Sequence, residues 1–231
     1  MAMIPSYRGR DGVEGWQSLA HVCRQWRNVV FGSPHRLNLR LYCTNTTPVK
    51  DRLDVWPALP LIIEVCWAFS SGTDNVIAAL EQSNRVCRVT LYLEDWQLEK
   101  VLPPMQVSFP ELTLLHLLSY DETSPVIPDS FLGGSAPRLR SLTLNSISFP
   151  GLPKLLLSAT HLVHLILSGI PHSGYISPKA IVALLPALFS LERLSVEFRS
   201  PQSRPYRETQ SLSPPKRCPP LSPRFSFQRR H

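Results

Sequence analysis

The chain has 231 residues, 43% of them apolar, which is enough for one sizeable core or for a stacked array. Its net charge of +7 belongs to the C-terminal part, because residues 199–231 hold eight Lys or Arg and one acid and the first 198 residues balance to zero. A neutral body lacks the basic surface that specific nucleic-acid binding requires. No apolar run approaches the about 20 residues that cross a bilayer.

The N-terminal part divides into two segments. Residues 1–15 show no hydrophobic periodicity, and we expect them to be disordered. Residues 16–35 predict one helix, which the Gly-Ser-Pro sequence at 32–34 ends. Its apolar stripe at helical spacing includes Trp16, Leu19, Val22, Cys23 and Trp26.

A Leu-x-x-Leu-x-Leu pattern follows and returns along the chain. Clear copies begin at Leu112, Leu139 and Leu162, and weaker copies begin at Val86 and Leu191. The middle apolar residues fall at 89, 115, 142, 165 and 194, which gives steps of 26, 27, 23 and 29. Such steps are typical of leucine-rich repeats. The alternating segments 37–41 and 61–65 fit as earlier strands, so we expect an α/β solenoid of irregular repeats with parallel strands over residues 36–198.

The segments between the predicted strands vary. Residues 44–60 read as a proline-broken loop, residues 74–84 as a helix, and residues 94–111 and 119–138 as irregular proline-containing arcs. The best helix pattern begins at Pro178, since proline is favoured in a first helical turn. The asparagine that regular repeats carry after the last leucine is replaced by Glu94, Tyr120, Ile147 and Ile170, so the repeats are of the irregular kind.

The residues between the leucines are expected to line the opposite, open face of the strands. A mixed face of this kind is typical of protein-binding surfaces, and the alternative is a solvated face without a partner. We predict that the target-binding positions are Arg88, Thr90, Tyr92, Leu114, His116, Thr143, Asn145, His164, Ile166, Arg193 and Ser195.

Catalytic and metal-binding patterns are absent from the sequence. His161 and His164 are three residues apart at a strand start, where such positions point to opposite faces. We therefore predict no catalytic residue, no metal and no cofactor, and a protein that is not an enzyme. The five cysteines form no Cys-x-x-Cys pair and no apolar leader precedes them, which indicates an intracellular, reduced protein with buried thiols.

Residues 199–231 differ in composition from the rest. Seven of them are proline and eight are basic, which favours a disordered tail with at most salt-dependent, sequence-blind affinity for nucleic acid. The tail stands where a further repeat or cap is expected, so the strand edge after Val196 is predicted to be exposed. One hypothesis is that it replaces a longer array through splicing or a frame change.

The segment from Trp16 to Phe31 resembles the end of an F-box, which closes with Val-Cys-x-x-Trp, here Val22, Cys23 and Trp26. Residues 32–37 and 53–61 are similar to the large fungal family of F-box proteins with leucine-rich repeats. The resemblance covers about residues 14–200 and lacks the first F-box helix.

The resemblance implies a substrate-recognition subunit of a cullin-type ubiquitin ligase in the cytoplasm or nucleus. The five stripe residues of the N-terminal helix would contact a Skp-type adaptor, and the repeats would hold a target protein. The alternative is a leucine-rich repeat binding module without a ligase role.

Overall fold

The computed structural model describes residues 23–25, 28, 38–46, 48–55, 58–65, 72–120, 126–199 and 224–228. Within these residues the chain forms one sheet of eight strands in sequence order, of which the first seven are parallel. The strands are β1 Leu39–Tyr42, β2 Leu61–Val65, β3 Val86–Leu93, β4 Leu114–Ser119, β5 Ser141–Asn145, β6 His164–Ile170, β7 Arg193–Phe198 and β8 Arg224–Gln228. The chain is thus an α/β protein, and the predicted parallel pairing of successive strands is confirmed.

Leucines and other aliphatic residues stack in two buried ladders across the sheet. The register pairs the middle residues of the repeated pattern with one another, as the sequence predicts. One ladder contains Ile63, Val89, Leu115, Leu142, Leu165 and Leu194, and the other contains Val65, Leu91, Leu117, Leu144, Leu167 and Val196. All twelve side chains are buried, so the ladders form the centre of the core.

Short helices occupy the connections between strands and cover the buried face. They are α1 Val49–Val55, α2 Thr73–Leu80, α3 Asp95–Val101, α4 Leu152–Ser158 and α5 Pro178–Leu184. Single 3-10 turns lie at Pro103–Gln106, Phe131–Gly134, His172–Gly174 and Leu185–Ala187. Apolar residues of these segments join the strand ladders in one continuous cluster. Helices this short depend on such packing for their stability.

Two connections are more regular than the sequence indicated. The predicted loop 44–60 contains α1, because Val49 is buried and Leu53, one helical turn later, packs against the core. The predicted irregular arc 94–111 begins with α3, which a capping box starts: the Glu94 N–H donates to Gln97 Oε1 at 3.0 Å. The helix predicted for 74–84 runs over Thr73–Leu80, and α5 begins at Pro178 as predicted.

The long connection between β4 and β5 fills the core without an α-helix over its described residues, 126–140. Phe131 and Leu132 are fully buried, and the Phe131 ring meets that of Phe149 edge to face at 5.5 Å between centroids. Gly133 has φ of +66°, and a Cβ there would lie 3.0 Å from the Ser108 nitrogen. Glycine is therefore required at this turn.

The tail contributes a strand, which differs from the expectation of disorder over 199–231. Residues 224–228 form β8, which pairs antiparallel with β7 along the edge that was predicted to be exposed. Residues 200–223 and 229–231 lie outside the described part of the chain.

Candidate functional site

The open face of the sheet, formed by alternate strand residues, carries the predicted target-binding positions. We define it by three rows of register partners that run across the strands. The first row holds Arg88, Leu114, Ser141, His164 and Arg193; the second holds Thr90, His116, Thr143, Ile166 and Ser195; the third holds Tyr92, Leu118, Asn145 and Ser168. All eleven predicted positions are among these residues, and none is buried. At about 4.8 Å per strand, a five-strand row spans about 19 Å.

Two further strands extend the same face. The first row continues through Ile62, which is buried, to Arg40, and the second through Glu64 to Tyr42, which are partly exposed. Arg40 Nε lies 3.7 Å from Glu64 Oε1, a partly exposed pair that contributes at most about 1 kcal/mol. The alternation of β1 and β2 in the sequence placed these residues on the face, although they were not among the predicted site residues.

The third row is interrupted near its C-terminal strand. The pairing of β6 and β7 shifts between Leu167 and Ile170, and Gly169 has φ of +60° within that shift. Glu197, two residues after Ser195 on β7, therefore has no register partner on β6 and does not continue the row. In the third row, the open face is therefore regular only from β3 to β6.

Tyr92 and His116 form the aromatic centre of the face. Their ring centroids are 5.1 Å apart at an interplanar angle of 78°, and the Tyr92 hydroxyl lies 3.5 Å from His116 Nδ1. Burial lowers the pKa of His116, which favours the neutral imidazole. Leu114 and Leu118 flank this histidine on the same strand and are partly exposed. The centre thus offers apolar and aromatic contact area with few charges.

Two exposed arginines lie in the first row. Arg88 is on β3, the strand that also carries Tyr92, and Arg193 is on β7. They are four strands apart, or about 19 Å. An apolar centre bordered by solvated charges is the usual composition of a protein-binding surface.

A tryptophan and a tyrosine stand at the rim, beyond the C-terminal ends of β3 and β4. Trp96 is 45% exposed and Tyr120 is 49% exposed. Trp96 Nε1 donates to Glu94 Oε2 at 2.5 Å, and Lys100 Nζ lies 5.0 Å from the Trp96 ring centroid. Tryptophan and tyrosine are the residues most enriched in binding hot spots. Sequence reasoning missed this rim because it assigned both residues to irregular arcs.

The thiols differ in exposure. Cys43 is buried and burial raises its pKa to about 12, while Cys87 is half-buried, donates to the Leu61 carbonyl at 3.2 Å, and has a pKa raised by the same desolvation. Cys23 is exposed, so the prediction of buried thiols is wrong for this residue. Cys66 and Cys218 lie outside the described residues. No group of three or more potential metal ligands occurs within the described ranges.

The predicted adaptor-binding stripe lies almost entirely outside the described residues. Trp16, Leu19, Val22 and Trp26 are outside them, as are residues 1–15, for which disorder was expected. Cys23 is described and exposed, and Arg24, Gln25 and Asn28 are helical and exposed. These three assignments agree with a helix in the segment 16–35.

Comparison of the chain with protein-family models, curated proteins and solved structures finds no match. Among the described helices, the longest has eight residues, far fewer than a bilayer span requires.

Proposed function

We propose that this chain is a non-enzymatic protein-binding subunit built as an irregular leucine-rich repeat solenoid. Each repeat contributes one parallel strand and one outer connection, and successive repeats stack their leucines in register. Repeat steps of 23 to 29 residues support this description. In the absence of a regular asparagine in the turns, the buried apolar side chains of the outer connections are the main support of the repeats.

The observation that carries the proposal is the continuous open face. Strands β3 to β6 present side chains that are not buried in three register rows, with Tyr92, His116 and Leu118 at the centre. A rigid sheet with an aromatic centre loses little conformational freedom when a partner binds. A target protein is therefore expected to contact the rows between β3 and β6.

Replacement of Leu118 by aspartate tests this face. The L118D change puts a charge into the apolar centre, while V107D puts the same charge at an exposed position, 50% accessible, on the connection after α3. Crosslinking in cells followed by quantitative mass spectrometry should recover the same partners with wild type and V107D, and lose them with L118D. Full recovery with L118D would show that the open face is not the binding surface.

We further propose that the N-terminal helix docks on a Skp-type adaptor and so makes the chain a substrate receptor of a cullin-type ubiquitin ligase, cytoplasmic or nuclear. The Val22, Cys23 and Trp26 sequence supports this role, and so do the helical residues around it. A tryptophan anchor contributes about 1.5–3 kcal/mol through burial, which corresponds to about tenfold to a hundredfold in affinity.

Pull-down of purified Skp-type adaptor tests the ligase role. Wild type and Asn28→Ala should retain the adaptor, since Asn28 is exposed and is not part of the predicted apolar stripe. Trp26→Ala should reduce capture at least tenfold. Adaptor binding that survives Trp26→Ala, or no binding by wild type, would instead favour the alternative of a leucine-rich repeat binding module without a ligase role.

A further inference from the structure

The last parallel strand, β7, carries an added strand from the tail. Register places Phe227 opposite Leu194 and Phe225 opposite Val196, the two inward positions of β7. Arg224 and Ser226 stand opposite Glu197 and Ser195, which belong to the open side of the strand. The five-residue sequence Arg-Phe-Ser-Phe-Gln therefore alternates in phase with the two sides of the sheet.

The core is less completely covered at this end than in the middle of the sheet. Leu194 is 8% exposed, whereas Leu115 and Leu142 in the same ladder are fully buried. A shallow apolar groove lies beside it, and its lining includes Ile176, Leu184, Leu188 and Val196. A strand edge next to such a groove would expose both unpaired backbone groups and apolar surface.

We propose that the edge of β7 is a strand-addition site for an extended peptide with aromatic residues at alternate positions, and that its resident ligand is the chain's own segment 224–228. In strand addition, backbone hydrogen bonds supply affinity and alternate side-chain positions supply selectivity. Selectivity here comes from the register, which places Phe225 and Phe227 opposite Val196 and Leu194, the inward positions of β7. The site uses the sheet edge and is independent of target binding on the open face.

Binding within one chain is geometrically simple. Antiparallel pairing of Glu197 with Arg224 requires the two ends of residues 198–223 to meet within one strand spacing. A tethered strand acts at a much higher effective concentration than a free peptide. The resident segment therefore competes with any peptide or second copy for the same edge.

Aspartate pairs at alternate positions of β8 test the proposal in the full chain. F225D/F227D places charges at the inward register positions, and S226D/Q228D adds the same charge at the outward positions. Amide hydrogen exchange in 193–198 should become about tenfold or more faster in F225D/F227D, with residues 114–119 as an unchanged internal reference. S226D/Q228D should resemble wild type. Equal protection of 193–198 in both double variants would overturn the proposal.

A peptide in trans supplies the second test. A fluorescent peptide of residues 224–228 should bind F225D/F227D about tenfold or more tightly than wild type, because the edge is vacated. A peptide of the same composition with the two phenylalanines adjacent should bind neither protein. Equal affinity of the matched peptide for both proteins, or its failure to bind F225D/F227D, would overturn the proposal.

If F225D/F227D also loses protection from exchange in the reference residues 114–119, a crosslink decides the outcome. E197C/R224C in a C23S/C66S/C218S background joins register partners while both phenylalanines remain. Mild oxidation should give an intramolecular disulfide in the monomer, and E197C/Q228C should not crosslink. A disulfide-linked dimer, or equal crosslinking of both pairs, would refute occupation of the edge by the same chain.

Discussion

Removal of one leucine from the middle of a ladder should cost more stability than removal of one at its end. Leu142 on β5 is fully buried between Leu115 and Leu165. Its replacement by alanine removes about 2.4 kcal/mol of transfer free energy, at about 0.8 kcal/mol per carbon group. Strands on both sides limit collapse around the cavity, which raises the loss in unfolding free energy to about 3–5 kcal/mol.

The same substitution at two other leucines calibrates this value. Leu194 borders the groove at the end of the sheet and is 8% exposed, so Leu194→Ala should cost about 2–3 kcal/mol. Leu157 on α4 is 59% exposed, and Leu157→Ala should stay within about 0.5 kcal/mol of wild type.

Urea unfolding followed by circular dichroism measures the three differences, with an unchanged denaturant slope as the test that the same surface unfolds. The reasoning is refuted if Leu142→Ala costs no more than Leu157→Ala, or if Leu194→Ala is the most destabilising of the three.

Three further outcomes follow from local geometry. Gly133→Ala should lower stability by about 1–2 kcal/mol in thermal unfolding, because of its positive φ and the nearby Ser108 nitrogen; an unchanged melting temperature would contradict this. Iodoacetamide at pH 8 should label exposed Cys23 long before Cys43, whose pKa of about 12 leaves little thiolate. Mass spectrometry measures the order of labelling, and labelling of Cys43 before Cys23 would contradict this prediction. Burial lowers the pKa of His116 in the folded state, so as the pH falls the imidazole is protonated in the unfolded state before it is protonated in the folded state. Wild type should therefore lose more stability than His116→Gln between about pH 7 and pH 5. Urea midpoints that fall equally with pH in the two proteins would disprove this.

The strands could be predicted from the sequence because their signal is local and repeated. Each clear copy of the leucine pattern places three buried leucines within six residues. The same pattern in the next copy sets the register, as for Leu115 and Leu142. The open-face residues followed from that alternation alone.

The helices α1 and α3 were missed for different physical reasons. Prolines around residues 48–60 obscured the single pair of apolar residues, Val49 and Leu53, that holds α1 against the core. In α3 the cap is Glu94, which is not among the preferred N-cap residues, so only the reciprocal contact with Gln97 signals the start.

The strand β8 could not be predicted from local pattern. Its alternation involves two aromatic residues, and its partner lies more than 20 residues earlier in the chain. The proline-rich composition of residues 199–231 predicted disorder, whereas the register with Leu194 and Val196 exists only in the folded sheet.

The exposure of Cys23 could not be predicted either. A small apolar residue in a helical stripe gives no information about which neighbour covers it.

The separation of the ladders from the open rows has a consequence for how such a chain can change. Positions such as Thr90, Thr143 and Ser195 can be substituted without disturbing the leucines behind them, because neighbouring residues of a strand face opposite sides. Specificity can therefore drift, or be randomised in a library for selecting new binders, while the scaffold keeps its stability. Lengthening an outer connection is equally permissive, since steps of 23 and 29 residues already coexist in one register.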